Sequence, residues 1–405
     1  MNSEEKKNTA LIAVGGEKLP VPRKASYWTR IAARYTLVWR ALLVVLVLFS
    51  VTFMLLFSRA FTYDSLFCFF KDLQMVTSFV PSDYDTVNTT YEEGEYTALS
   101  YRGGVAFVNT GGVEVYSPNG RRLLDVDLSL NVPRAVASRK YLLAFDSGGT
   151  SFTVTNSYTE LFRGKTDFPI YGAEVSDSGH FALITASDEV LSQVLLYDNN
   201  FNLIQRFSRA SATVGVSVSD NGKRIALLGM AATEGTARTI LDVYQLGKTT
   251  PKQSFAWEGE LPLAVGFTNN NTLVVLPDKT MRSCDPDGDI HNEITLDGTP
   301  VLFTVNREGA ALVLETEQIA ATHRILVLEK RGDTVHDGSF DRDIADIALG
   351  EDEIFLLAGN EVIRIDIDKQ QQAALPIEAG ASELFALDRG EARVVYPAQV
   401  AYLAF

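Results

Sequence analysis

Hydrophobic positions follow two different rules along this chain. Residues 41–58, ALLVVLVLFSVTFMLLFS, run for 18 positions without a charge, and only Ser50, Thr52 and Ser58 are polar. A helix of that length rises about 27 Å, and residues 37–39 extend it to the apolar thickness of a bilayer. Residues 37–59 are therefore expected to form one transmembrane helix, with Tyr35 and Trp39 at one interface and Phe61 and Tyr63 at the other. The 40-residue lead is too long for a cleaved signal peptide, and no small-x-small cleavage site follows, so the span is read as a permanent anchor. In residues 60–82, Tyr63, Leu66, Phe67, Phe70 and Leu73 share one helical face, while Asp64, Ser65, Lys71 and Asp72 share the other. That pattern suits a short amphipathic helix lying in the outer interface, or one packed on the following domain or a partner, and Pro81 stops it.

From residue 83 onward the apolar period shortens to two, and helical patterning disappears. The stretch VSDSGHFALI, from Val175, returns as VSDNGKRIALL from Val218, 43 residues later. Each copy reads as a strand, a polar turn with a glycine, and a second apolar strand. Weaker copies begin at Tyr96, Ala135, Ala264, Leu302, Asp346 and Leu384. A third strand-like run follows each, such as VLLYDNN or VIRIDID, and in most copies a fourth, poorer run follows that, such as FNLIQRFS. Units of four short strands recurring about every 40 residues predict an all-β domain, a β-propeller over residues 83–405. Eight blades are expected, with seven as the alternative. The last unit supplies only three strands before Phe405, and YDTVNTTY at 84–91 is the segment available to complete it, which would close the ring with both ends of the domain in one blade.

The Ser-Asp-x-Gly turns resemble the SPDG-type hairpins of the WD40-like and TolB-like propeller repeats. The Trp-Asp pair of WD repeats is absent, as are the Tyr-Trp-Thr-Asp of receptor propellers and the tryptophan docking motif of quinoprotein propellers. The layout as a whole is a basic tail, one span, a Phe-rich stretch containing FFKDL, then a propeller. It resembles an uncharacterised bacterial family of single-pass, membrane-anchored propeller proteins. That resemblance implies architecture and a place in the cell envelope, and no chemistry.

Charge sharpens the topology. Residues 1–40 hold eight basic and three acidic side chains, a balance of +5; the chain totals of 36 and 51 leave 28 basic and 48 acidic groups beyond them, or −20. The basic flank predicts a disordered cytoplasmic tail over residues 1–36 and an extracytoplasmic propeller. An acidic domain of this kind repels phosphate backbones, so nucleic acid is not an expected partner. Two cysteines, Cys68 and Cys284, make no disulfide framework and are expected to be free.

Candidate chemistry is sparse. Ser176, Asp177 and His180 offer the residue types of a hydrolytic triad, but a tight turn and its flanking strands are expected to splay them apart. The copy at 218 keeps the serine and aspartate and replaces the histidine with Lys223, as a repeated turn would. His291, His323 and His336 lack metal-ligand spacing. Asp285, Asp287 and Asp289 alternate as the oxygen ligands of a calcium loop do, although a Pro-Asp-Gly turn uses the same residues. No nucleotide loop or zinc motif is present, and no other cofactor is implied. The resulting expectation is a non-enzymatic binding scaffold or sensor in a bacterial envelope, engaging the bilayer and an envelope protein, a peptide or a cell-wall glycan. The alternative is a membrane-tethered hydrolase or lyase acting on cell-wall polysaccharide, its site assembled from several blades.

Overall fold

A computed structural model describes residues 35, 38–49, 87–88, 96–118, 120–316, 323–387, 389–397 and 399–405. The chain divides into two units, 1–80 and 81–405. In the first, residues 38–49 are helical and exposed, with Trp39, Leu42 and Phe49 all more than half accessible. Twelve residues rise about 18 Å, and among the described residues no helix is long and apolar enough to cross a membrane. The rest of the expected span 37–59, the tail 1–36 apart from Tyr35, Cys68 and the amphipathic segment 60–82 lie outside the described residues.

The second unit is all β among its described residues and forms eight four-stranded antiparallel sheets, so the blade count is eight and not seven. The innermost strands are Tyr96–Tyr101, Pro133–Ala137, Ile170–Val175, Ala212–Val218, Pro262–Phe267, Thr299–Asn306, Asp346–Leu349 and Glu383–Ala386, defining blades 1 to 8 in chain order. Each inner strand touches the next, and that of blade 8 touches that of blade 1, which closes a ring around a central channel. In blades 1 to 7 the strands run outward in sequence order. In blade 8 the outermost strand is Val87–Asn88, paired antiparallel to Gln399–Ala404 with Val87 opposite Val400.

Burial explains why these segments are strands. Second strands such as Phe181–Thr185 and Leu273–Pro277 are buried along their whole length, because both of their faces pack against neighbouring blades. Fourth strands such as Gln253–Glu258 and Ile290–Thr295 alternate half-buried and exposed positions, because they form the outer rim. Eight apolar clusters fill the eight seams. Ile184, Leu196 and Phe207 of blade 3, for example, meet Val216, Ile225 and Leu227 of blade 4. The closing seam sets Val87, Val395 and Val400 of blade 8 against Ala98, Val105 and Phe107 of blade 1. Each buried side chain of this size contributes about 1.5–3 kcal/mol.

The turns between first and second strands all lie on one face of the disc, here the first-turn face. The passages from blade to blade lie on the other, the crossover face. Gly179 (φ +84°) and Gly222 (φ +63°) stand at left-handed positions in the two repeated Ser-Asp-x-Gly turns. In each turn the glycine N–H donates to the serine carbonyl, at 3.0 Å from Gly179 to Ser176 and 2.9 Å from Gly222 to Ser219.

Candidate binding site

The two ends of the channel differ in chemistry. Toward the start of the inner strands, on the crossover side, large apolar side chains stand in solvent: Tyr171 (63% exposed) of blade 3, Val214 (45%) of blade 4, Leu261 (43%) just before blade 5, and Val301 (42%) and, midway along its strand, Phe303 (41%) of blade 6. Each sits on a strand or crossover whose far end is fixed in a packed seam, so the sheet cannot draw it inward. Beside them the second and third strands of blade 4, Arg224–Thr233 and Thr236–Gln245, run ten residues each, longer than any other described strand. They continue the ladder past the inner strand to Thr233 opposite Thr236 and raise an arm on the crossover face.

At the first-turn face the channel is narrowed by charge. The third residue of each aligned turn is polar or charged, Arg139 in blade 2, Asp177 in blade 3, Asp220 in blade 4, Asn269 in blade 5 and Arg307 in blade 6, and Arg139 and Arg307 line one cavity. Asp177 accepts from the backbone N–H of Arg139 at 2.8 Å and from its Nε at 2.5 Å. Arg307 forms an ion pair with Asp220, and its Nη2 donates to the carbonyl of Val175 at 3.3 Å. Asn269 donates to Glu308 of blade 6. Burial works against the Asp177 charge, but Arg307 and Arg139 outweigh it and hold the carboxyl below its ordinary range.

Behind Arg307 lies a cavity of about 330 Å³ walled by blades 2 to 6, with Ser138, Glu174, Ser217, Val265, Phe267 and Asn306 in its lining. Glu174 makes no hydrogen bond there, and burial pushes its carboxyl up to about 7 against the pull of Arg307. Sequence patterning missed Glu174, Arg139 and Arg307. The available signal was the turn alignment itself: VNREG at 305 matches VSDSG and VSDNG with arginine where they carry aspartate.

The calcium-loop expectation falls on Asp285, Asp287 and Asp289, whose carboxylates are turned to three different sets of partners. They form a hairpin turn in blade 5 in which the Asp285 carboxylate accepts from the N–H groups of Asp287 (2.8 Å) and Asp289 (3.0 Å). Asp287 is taken by Arg224, whose Nη2 lies 2.6 Å away, and by Lys252. Asp289 accepts from Gln253 at 2.7 Å. Among the described residues no group of His, Cys, Asp and Glu side chains is placed to hold a metal ion.

The splaying expected at 176–180 is only partly realised. Ser178 Oγ lies 3.0 Å from His180 Nδ1 and 2.6 Å from Ser176 Oγ, while Asp177 turns away to Arg139. No carboxylate orients the imidazole by a hydrogen bond, and burial lowers the His180 pKa. His291, His323 and His336 each meet a neighbouring hydroxyl, carbonyl or amide oxygen at 3.1–3.2 Å and share no site. Cys284 is free and buried, and burial pushes its thiol up to about 12, out of reach of nucleophilic chemistry at neutral pH.

The closed ring of eight sheets around a channel defines the chain as a β-propeller. Residues 79–400 match the family of unknown function DUF5711, and the chain belongs to that family. No curated protein matches its sequence. Among solved structures it is similar to Sqt1 of Saccharomyces cerevisiae (8% identity, TM-score 0.54, covering 80% of this chain and 99% of that one). It is also similar to BamB of Moraxella catarrhalis (9%, 0.51, 79% and 97%) and to a eukaryotic initiation factor (12%, 0.51, 79% and 83%). At these identities the likeness concerns the fold.

Proposed function

We propose that the protein is a non-enzymatic scaffold of the bacterial cell envelope, anchored by residues 37–59, whose extracytoplasmic propeller docks a partner protein or peptide on its crossover face. The observation that carries the reading is the set of exposed apolar side chains around one channel mouth, Tyr171, Val214, Leu261, Val301 and Phe303. Water-facing groups of this size, gathered at one site, favour a protein or peptide over a polysaccharide. The ten-residue arm of blade 4, with Met230 39% exposed, adds a second contact on the same face. The uncharged run 41–58 and the basic residues before it support the anchor and its orientation.

The hydrolase or lyase alternative needs two carboxylates free to act as acid and base. Carboxylates and arginines from several blades do gather at the first-turn face. There Asp177 and Asp220 are each committed to an arginine and Glu308 accepts from Asn269, while on blades 7 and 8 Asp346, beside Glu383, is held by the N–H groups of Ile347 and Leu384. Crosslinking in intact membranes with mass spectrometry tests the scaffold. A reproducible envelope partner, lost when Tyr171 and Phe303 are both changed to Ser, is expected; recovery of none at native abundance refutes it. Protease added to wall-stripped cells is expected to remove residues beyond about 80 and spare the tail, and the reverse pattern refutes the topology.

A further inference from the structure

We infer that the cavity behind Arg307 is a binding site for a small organic cation, a primary ammonium on a short apolar stem such as a lysine side chain carries, with Glu174 as its counter-ion. This does not rest on the docking reading, since it concerns the opposite end of the channel.

Four observations carry it. The space is sufficient, about 330 Å³, at the lower end of small-ligand pockets. Its walls divide between the apolar surfaces of Ala137, Val265, Phe267 and Val305 and the polar groups of Ser138, Ser217 and Asn306, which matches an alkyl stem with a charged tip. The charge leaves room for a cation: the lining carries Arg139 and Arg307 against Glu174 and Glu308, and both arginines are already neutralised by Asp177 and Asp220 beside it. Finally, Glu174 is the unspent member of that set. Arg139 is bound by Asp177, Arg307 by Asp220 and the Val175 carbonyl, and Glu308 by Asn269, whereas Glu174 has no hydrogen-bond partner.

The polar wall groups are also committed, which leaves the carboxylate as the recognising group. Ser217 Oγ accepts from the Phe267 N–H at 3.0 Å, Ser138 Oγ from the N–H groups of Lys140 and Tyr141, and Asn306 Nδ2 donates to the Leu349 carbonyl at 2.9 Å. A bare metal ion fits poorly, because no three ligating side chains converge among the described residues. An ammonium brings three donors: Glu174 offers the charge-assisted bond, Ser217 Oγ keeps a second lone pair, water at the mouth takes the third, and the apolar lining sleeves the stem.

Affinity then depends on pH through Glu174. Charged groups around it are Asp177 on its own hairpin, Arg139 from blade 2, Asp220 from blade 4, and Arg307 and Glu308 from blade 6; Arg307 opposes protonation, and burial dominates. Binding is expected to be full above the carboxyl's value of about 7 and to weaken below it, approaching tenfold per pH unit.

The test is calorimetric titration of the full chain in detergent with Nα-acetyl-lysine methylamide, against its uncharged isostere Nα-acetyl-norleucine methylamide. At about pH 8 the lysine derivative is expected to bind at least roughly tenfold more tightly than the norleucine derivative. Glu174→Gln should abolish that preference, and Glu258→Gln, on the outer rim, should leave it intact. Circular dichroism confirms that each variant is folded, and Glu174→Asp serves as a second probe that keeps the charge and shortens its reach. Equal binding of the two derivatives, an undiminished preference in Glu174→Gln, or no binding of either by folded wild type overturns the inference.

Discussion

Arg307 donates to the backbone carbonyl of Val175, a residue 132 positions earlier and three blades away, while pairing with Asp220 of blade 4, one of the two blades between. Its side chain and that of Asp220 are only 18% and 14% exposed, so the pair works largely out of water. Removing one member strands the other charge, a change that costs about 3 kcal/mol in buried pairs. Arg307→Ala is expected to lower the urea midpoint accordingly. Arg307→Ala combined with Asp220→Ala should recover part of the loss, because no charge is then left unpaired. Additive losses in the double variant would show that the two do not act as a pair.

Glu174 gives stability an unusual pH slope. Its folded carboxyl lies at about 7, above the ordinary 4.5, so between those values the folded state holds more proton than the unfolded state. Stability must therefore fall as pH rises through that window and level off above it. Glu174→Gln removes this fall, and urea unfolding at about pH 8 should find the variant more stable than wild type by about 2 kcal/mol. A variant less stable than wild type at that pH would show that the charge is compensated.

Glu260 behaves in the opposite sense. It receives Arg282 in a two-point contact, Nη1 to Oε2 at 2.7 Å and Nη2 to Oε1 at 2.9 Å, and the guanidinium stacks 4.3 Å above Trp257. Burial raises its pKa, but the bonds from Arg282 outweigh burial and leave it lowered. Its stabilisation is thus present above the ordinary carboxylate range and lost as pH falls through the folded value. Glu260→Gln should cost about 2–4 kcal/mol at neutral pH, since Arg282 is 3% exposed and left without its main partner. Arg282→Lys should lose a similar amount, because an ammonium reproduces neither the fork nor the stacking. Denaturant melts between about pH 3 and 7 measure both changes.

Asp287 separates a turn from a calcium loop. Calcium or a chelator is expected to leave the melting temperature of the full chain unchanged. Asp287→Ala should lower stability by only about 0.5–1 kcal/mol, because Lys252 and Asp287 are substantially exposed and water screens the ion pairs. A calcium-dependent rise in melting temperature, lost in Asp287→Ala, would restore the metal reading.

The fold was legible where burial imposes one rule on both faces of a strand. LLAF, FALI and IFLLA are unbroken apolar runs because their strands sit between two seams, and with the glycine turn before them they mark the copies of the repeat. Fourth strands such as IHNEIT carry a weaker signal because water takes one of their faces. Ser176 and Asp177, beside His180, offered the residue types of a triad because a left-handed turn needs short polar residues and a glycine, and a triad draws on the same serine and aspartate. The channel groups were not legible by motif at all. Arg307 meets Val175 only because blade 6 stands across the channel from blade 3, a relation set by blade number and ring closure, and no local spacing encodes it.

Val87 and Val400 make the order of assembly in time a property of the chain. Blades 1 to 7 can each form as their own residues become available, but blade 8 needs one strand from near the start of the domain and three from its end. Until Gln399–Ala404 is present, Val87 has no strand to join, and Val105 and Phe107 on the open flank of blade 1 remain uncovered. The nascent domain is therefore a horseshoe with one wet apolar seam for most of its synthesis. It becomes a ring only within its last few residues, which places its greatest risk of misassembly at the very end of folding.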